Sequence, residues 1–185
     1  MRRAKFLNVA ANLMGELGYE ALTMKAVAEQ AGASIGTLYD YFPDKQTLAT
    51  ALLAQYTEEA DAHWSEVLSK DNLPTKSAFP GVFVKAILDF SSKRPGYLAL
   101  LGAPLAYSRT ASARKPLRKT IASALQMMNG KLAANSALIR ANVIVELIKG
   151  LLAINKQSAS KEKDLVIDEF KRLIRLYLND ALADK

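Results

Sequence analysis

Hydroxyl, glycine, aromatic and basic residues follow one another at close spacing between residues 23 and 45 of this 185-residue chain. The set comprises Thr23, Ser34, Ile35, Gly36, Thr37, Tyr39, Tyr41 and Lys45. Hydroxyls and amines donate hydrogen bonds to phosphate oxygens, and glycine lets a backbone approach a partner closely. An aliphatic side chain such as that of Ile35 offers only apolar contact, for example with a thymine methyl group. These residue types favour recognition of nucleic acid.

A short helix from Met24 to Ala31 is predicted to carry the first of these residues. Thr23 precedes this helix, and its hydroxyl is a common N-terminal cap. Gly32 follows it and can adopt the left-handed conformation that ends a helix and turns the chain sharply. A second helix can therefore start almost at once.

The second short helix is predicted over Ile35–Tyr41. Ser34 can cap it, and Phe42 ends it because the residue before a proline is pushed out of helical geometry. Small or apolar residues stand where the two helices must touch: Val27, Ala28, Ala31, Ala33 and Leu38. Two short helices across a tight turn form a helix-turn-helix, whose second helix enters the major groove of DNA.

Position within the motif predicts the role of each residue. Base edges are expected to meet the start of the second helix, at Ser34, Ile35, Gly36 and Thr37. Phosphates are expected to meet Thr23, Tyr39, Tyr41 and Lys45. Two of these phosphate contacts have an alternative interpretation: Tyr39 could belong to the core, and Lys45 could be a solvated charge. At a helix start, however, Lys45 would oppose the helix dipole unless an anion such as phosphate lay there.

A wider pattern extends from about Arg3 to Tyr56. It is carried by Gly18-Tyr19, Thr23, Val27-Ala28, Ala31-Gly32, Gly36-Thr37-Leu38-Tyr39, Tyr41-Phe42 and Lys45. This pattern resembles the tetracycline-repressor family of bacterial regulators. The resemblance implies phosphate contacts at Thr23, Tyr39, Tyr41 and Lys45, and base contacts at Ser34, Gly36 and Thr37. The chain departs from the family at Ile35, where many members are polar or basic, and at Asp40, a carboxylate on the second helix.

The net charge of +7 does not come from the motif. Residues 1–56 hold five basic and five acidic side chains, whereas residues 90–145 hold nine basic ones and no acid. The nine are Lys93, Arg94, Arg109, Arg114, Lys115, Arg118, Lys119, Lys131 and Arg140. A solvated basic face explains them best, and an anionic ligand or partner is the alternative.

Helical periodicity and the lack of β-branched runs predict an all-α fold. The expected helices are about Arg3–Leu17 (closed by Gly18), the two short helices, and a long helix from near Asp44 that ends before Asp71, followed by Ser77–Lys93, Pro95–Tyr107 (irregular at Gly102–Pro104), Ala113–Leu132, Ser136–Lys156 and Ser160–Leu182. We expect a helix-turn-helix domain at residues 1–46 and a helical ligand-binding and dimerisation domain at residues 47–185.

The last two helices carry broad apolar faces. These are Ala137, Leu138, Ala141, Ile144, Val145, Ile148, Leu151 and Leu152 on one helix, and Leu165, Val166, Phe170, Leu173, Ile174, Tyr177, Leu178 and Leu182 on the other. A two-fold partner would cover such faces in a four-helix interface, and packing within one monomer is the alternative. Because helix-turn-helix proteins usually need two half-sites, we expect a homodimer through these helices.

Apolar and aromatic residues between the long helix and the last two helices could line a pocket for a small-molecule effector. The candidates are Phe79, Phe83, Ile87, Phe90, Tyr97, Leu101, Tyr107, Leu125, Met127 and Met128. Ordinary core packing explains the same residues equally well.

Other function classes find little support. The chain has no cysteine and one histidine, His63, and it lacks a phosphate-cradling glycine loop and a metal-ligand cluster. We expect neither an enzyme nor a metal or cofactor site, and no membrane span, since no apolar run approaches about 18 residues. The sequence predicts a cytoplasmic regulator of transcription, a ligand-responsive repressor that binds a palindromic operator as a homodimer. A helical ligand-binding or scaffold protein with weak or lost DNA recognition is the alternative.

Overall fold

The computed structural model describes residues 2–105 and 111–182, without the side chains of 111–116 and 181. Its elements are α1 (Arg2–Ala21), α2 (Met24–Gln30), α3 (Ile35–Tyr41), α4 (Lys45–Val67), α5 (Phe79–Ser92), α6 (Tyr97–Gly102), α7 (Ala111–Met128), α8 (Ala134–Gln157) and α9 (Lys163–Ala181). The predicted all-α fold class is confirmed. Among the described residues, none of the helices has both the length and the apolar character that crossing a bilayer requires.

The first helix differs from its prediction at the C-terminal end. α1 extends to Ala21, but Gly18 within it has φ 82° and ψ 171°, which are not helical values, so two helical segments meet at a kink there. A positive φ of this size favours glycine, which has no Cβ to clash. The predicted end at Leu17 therefore coincides with a kink inside α1.

The first of two compact units comprises Met1–Glu59 and Ser91–Ala113. Within it α1 packs against α2 and α6, and α2 packs against α3. Its core includes Phe6, Leu7, Ala10, Met14, Val27, Leu38, Phe42, Leu48, Leu52, Tyr56, Leu100 and Leu105. The helix-turn-helix therefore shares one core with α1, the start of α4 and α6.

The turn before α6 makes close contacts inside this unit. Gly96 has φ 73°, and a Cβ built there would lie 2.8 Å from both the backbone oxygen of Ala11 and the Cβ of Met14. The hydroxyl of Tyr56 on α4 donates to the carbonyl oxygen of Pro95 at 2.9 Å. Glycine at position 96 is thus required by the backbone conformation and by the space available.

The second compact unit comprises Ala60–Phe90 and Arg114–Lys185. Aromatic rings meet in its core: the centroid of Trp64 lies 5.3 Å from that of Phe83 and 6.2 Å from that of Phe90. The ring of His63 lies 4.9 Å from Trp64 and 5.3 Å from Phe90, so the histidine is part of this aromatic group. α8 and α9 pack against each other in the same unit.

The two units do not coincide with the predicted functional domains. The first unit includes residues 47–59 and 91–113 in addition to the predicted DNA-binding part. The two units are defined by how their residues pack and not by what they do. The functional boundary at residue 46 therefore stays a prediction.

Candidate nucleic-acid interface

The start of α2 is capped as the sequence predicts. Thr23 is extended, and its Oγ1 accepts a hydrogen bond from the backbone N–H of Ala26 at 3.1 Å. Gly32 follows α2 with φ 64°, the predicted left-handed conformation. The threonine hydroxyl therefore fixes where α2 begins, and Gly32 turns the chain towards α3.

α3 is bounded by the predicted residues as well. Ser34 Oγ accepts from the backbone N–H of Thr37 at 3.1 Å and lies 2.9 Å from Thr37 Oγ1. Phe42 is extended, with φ −140° and ψ 102°, and ends the helix before proline. The two hydroxyls at the start of α3 thus form a bonded pair, which orients both of them at the tip of the helix.

One face of α3 is exposed and the other is buried. Ile35 and Tyr39 stand one turn apart with 42% and 47% of their surface exposed, while Leu38 is fully buried. A Cβ built at Gly36 would meet only Ser34 Oγ within 4 Å, at 3.9 Å. Tyr39 therefore does not belong to the core, and the predicted base-reading residues border open space.

Tyr41 is also exposed, but its ring contacts another aromatic ring. The centroid of Tyr41 lies 5.7 Å from that of Phe6 on α1. This contact orients the phenol at the edge of α3. The DNA contacts assigned to these residues from the sequence stay predictions, since no DNA is present.

A cleft of about 320 Å³ lies between the first turn of α1 and the turn that joins α2 to α3. It is lined by Arg2, Lys5, Phe6, Ala31, Gly32, Ala33, Ser34 and Thr37. Neither Arg2 nor Lys5 forms an ion pair with any residue that the structure describes. Two exposed cations therefore border the hydroxyls at the start of α3.

Arg2 and Lys5 are not among the site residues predicted from the sequence, yet they line this cleft. The signal was available, because three basic residues stand within the first five and no acid precedes Glu16. The equal numbers of basic and acidic residues in 1–56 concealed this local excess of positive charge. A neutral segment can still present one basic face.

Lys45 is bound within the chain. Its Nζ donates to the backbone oxygens of Tyr19 at 3.2 Å and Glu20 at 3.1 Å, and it lies 4.7 Å from the centroid of the Tyr19 ring. Asp44, the predicted N-cap of α4, accepts from the backbone N–H of Thr47, and this bonding lowers the pKa of the carboxyl. A phosphate contact at Lys45 stays a prediction.

The predicted pocket residues are divided between the two units. Phe83, Ile87, Phe90 and Leu125 are buried in the second unit, where Met128 is half-buried. Tyr97 and Leu101 belong to the first unit, and Tyr107 lies outside the described residues. Burial raises the pKa of Tyr97 to about 12, and its ring meets Tyr56 edge-on at 5.9 Å. Of the other two candidates, Phe79 is buried and Met127 is exposed. A single pocket lined by all ten residues stays a prediction.

The apolar faces of α8 and α9 are only partly covered. Most of the predicted residues on α8 are buried, as are Ile174, Leu178 and Leu182 in the region of α9. Large apolar residues that remain 39–67% exposed are Leu138, Ile139, Val143 and Ile154 on α8, and Leu165, Leu173 and Leu176 on α9. Packing inside the chain thus leaves apolar surface on both helices.

Two residues of the acid-free basic stretch are paired with acids from elsewhere. Arg94 Nε donates to Glu59 Oε2 at 2.8 Å, and the Arg118 guanidinium donates to Glu146 at 3.2 Å. Both arginine side chains are largely buried, at 19% and 15% exposure. For these two residues the charge serves contacts within the chain.

Two family models match the chain. The model described as bacterial regulatory proteins of the tetR family matches residues 6–52. The model described as the tetracyclin repressor-like C-terminal domain matches residues 80–178, more than half of the chain.

Curated relatives match about a third of this chain. The HTH-type transcriptional repressor KstR of Rhodococcus jostii is 44% identical over 61 residues, which cover 33% of this chain and 29% of that protein. The HTH-type transcriptional regulator UidR of Escherichia coli is 36% identical over 64 residues, or 35% of this chain and 33% of that protein. The match thus spans about a third of these relatives.

Solved structures match along almost the whole chain. A TetR-family transcriptional regulator from Streptomyces coelicolor has a TM-score of 0.68 at 24% identity, covering 98% of this chain and 100% of the other. The transcriptional regulator FadR of Bacillus subtilis, solved with stearoyl-CoA, has a TM-score of 0.68 at 15% identity and covers 97% of both chains. At these identities the likeness concerns the fold.

Proposed function

Because the chain belongs to the tetR family of bacterial regulatory proteins, and is thus a transcriptional regulator and not an enzyme, we propose that it is a ligand-responsive repressor. It binds a palindromic operator as a homodimer. Such a regulator meets chromosomal DNA in the bacterial cytoplasm, which is the location we propose. The observation that carries the proposal is the exposed face of α3 beside Arg2 and Lys5, two cations without an ion-pair partner among the residues that the structure describes.

The start of α3 reads bases in the major groove. Thr37 offers a hydroxyl and a methyl group, and Ile35 offers apolar contact to a thymine methyl. Gly36 leaves space for close approach, and the bonded hydroxyls of Ser34 and Thr37 are already oriented before DNA arrives. Pre-oriented groups lose less conformational entropy on binding.

Phosphates meet residues around α3. Arg2 and Lys5 supply the positive charge from the α1 cleft, and Thr23, Tyr39 and Tyr41 supply hydroxyl groups. Neutralising phosphates releases counterions, so affinity falls as salt increases. The neutral charge of residues 1–56 therefore does not argue against DNA binding.

The exposed apolar residues of α8 and α9 form the dimer interface. Covering them removes apolar surface from water, at roughly 25 cal/mol for each Å². A second copy supplies the same apolar surface through a two-fold axis. Pairing two helix-turn-helix motifs is required for a palindromic operator.

A small-molecule effector changes the spacing of the paired motifs. The aromatic group of the second unit, with Phe83 and Phe90, suits an apolar ligand. An effector must bind one spacing more tightly than the other, because equal affinity shifts no equilibrium. We expect saturating effector to release the operator.

Selection of bound sequences from random duplexes tests the DNA proposal. We expect enrichment of a palindrome whose half-sites lie about 34–36 Å apart, one helical turn. Thr37→Ala should relax the preference at one position of each half-site by about tenfold, while the salt dependence of binding stays unchanged. Absence of enrichment by the full chain would contradict DNA recognition and favour a scaffold protein.

A further inference from the structure

Asp40 is the single acidic residue of α3, and it lies on the side of this helix that faces away from the core. Consecutive residues of an α-helix are about 100° apart around its axis. Asp40 follows the fully buried Leu38 by two positions, so it lies about 200° away from it, on the opposite side. Gly36 precedes Leu38 by two positions and lies on that opposite side as well. Both Gly36 and Asp40 are exposed.

The surface over Gly36 is open to the carboxylate of Asp40. Side chains of a helix lean towards its N-terminus, so each residue covers the surface over the turn that precedes it. For Asp40 that turn begins at Gly36, four positions earlier, which has no side chain. A Cβ built at Gly36 would meet only Ser34 Oγ within 4 Å, at 3.9 Å. A base edge that approaches the start of α3 can therefore reach the carboxylate.

The charge of this carboxylate is not paired inside the protein. Asp40 forms no ion pair with any residue that the structure describes. An ionised carboxylate has no hydrogen-bond donor and can only accept. Beside a duplex it is repelled by the phosphates whatever the sequence, since the phosphate charge is the same for every base pair. Asp40 therefore weakens DNA binding unless a base donates a hydrogen bond to it.

Two bases offer such a donor in the major groove. These are cytosine, through its N4 amino group, and adenine, through its N6 amino group, whereas guanine and thymine present acceptors. Adenine also presents the acceptor N7 beside its amino group, and cytosine presents no acceptor of its own in this groove. Cytosine is therefore the base whose edge best matches a carboxylate.

We propose that Asp40 is a specificity-determining residue that reads a cytosine in each half-site of the operator. This inference rests on the proposed function, because it requires α3 to lie in the major groove. At the operator, the hydrogen bond from cytosine N4 offsets the repulsion between Asp40 and the phosphates. On other duplexes the repulsion is not offset. Asp40 thus raises the ratio of specific to nonspecific affinity by weakening the competing complexes.

Selection of bound sequences from random duplexes, with the full-length protein and two variants, tests the base preference. The wild type should enrich a cytosine at one position of each half-site, separate from the position that Thr37 governs. Asp40→Ala should lower this preference by about tenfold. Asp40→Asn should replace the cytosine with adenine, because an asparagine amide can bond both N6 and N7 of adenine.

Titration of a duplex that lacks the palindrome tests the repulsion. Both Asp40 variants should bind this duplex several-fold more tightly than the wild type at low salt, and the gain should shrink as salt screens the charge. Glu16→Gln is the matched control, since it removes an exposed carboxylate of α1 that lies about 21 Å along the helix from Arg2. It should change neither the base preference nor the nonspecific affinity.

The outcomes separate this inference from the proposed function. A palindrome that both Asp40 variants enrich with an unchanged base at every position would overturn the proposal and leave the proposed function in place. Tighter binding of all duplexes with the same base preference would show that Asp40 only repels phosphates, and base reading would again be refuted. If the wild-type chain enriches no palindrome, the proposed function fails, and the role of Asp40 fails with it.

Discussion

The unit that carries α2 and α3 combines an apolar core with hydrogen bonds that join its helices, whereas the unit that carries α8 and α9 has an aromatic core and leaves apolar side chains exposed on those two helices. In the first unit hydroxyl caps bound α2 and α3, Lys45 joins α4 to α1, and Tyr56 bonds the turn before α6. In the second unit the rings of Trp64 and Phe83 meet in the core, and apolar residues of α8 and α9 remain exposed.

This difference suits two tasks. Reading bases needs side chains held within a few tenths of an ångström, which hydrogen bonds and close backbone contacts provide. Burying a partner or an apolar ligand needs area and tolerance, which aliphatic side chains provide because their contacts are not directional. We therefore expect the two units to respond differently to comparable substitutions.

The largest effect should come from a charge on the exposed face of α9. Leu173→Asp places a carboxylate where the dimer buries apolar surface, so sedimentation should show a monomer and operator affinity should fall by at least about 100-fold, since one motif then binds alone. The chain should remain folded, because Leu173 is 44% exposed in the monomer.

Val82→Asp is the matched control, since Val82 is 41% exposed on α5 of the same unit. It should leave the dimer and the affinity unchanged. A dimeric Leu173→Asp variant would move the interface away from α9.

A single methyl group should damage the first unit more than the second. Gly96→Ala combines a positive φ with two approaches of 2.8 Å, and it should cost roughly 2–4 kcal/mol in denaturant unfolding. Gly81→Ala on α5 meets nothing within 4 Å and should stabilise by about 0.5–1 kcal/mol. Similar effects from both substitutions would remove the contrast between the units.

High pH should loosen the first unit through Tyr97. Burial raises the pKa of this phenol to about 12, so the unfolded chain releases the proton first. Stability from this group is complete below pH 10 and is lost as pH rises towards 12, by roughly 2–3 kcal/mol in total. Unfolding of Tyr97→Phe between pH 9 and 12 should lack this loss, and an identical pH profile for both chains would show that Tyr97 is not responsible.

The helices of the two units were predicted from different signals in the sequence. Thr23, Gly32, Ser34 and Asp44 act on residues at most three or four positions away, so their types and spacing predicted α2, α3 and the start of α4. The predicted helices of the second unit followed from apolar periodicity. Neither signal carries information about partners tens of residues apart.

Local sequence thus determined the helices, their caps, the turn at Gly32 and the residues presented by α3, because the hydrogen bonds and sterics involved close within a single turn. Tertiary structure alone decided that Lys45 binds the end of α1, that Gly96 fits against Ala11, and that Arg2 and Lys5 border the start of α3. These contacts join segments 25 to 85 positions apart, and their existence depends on how whole helices pack. Of the apolar residues on α8 and α9, packing likewise decided which remain exposed for a partner.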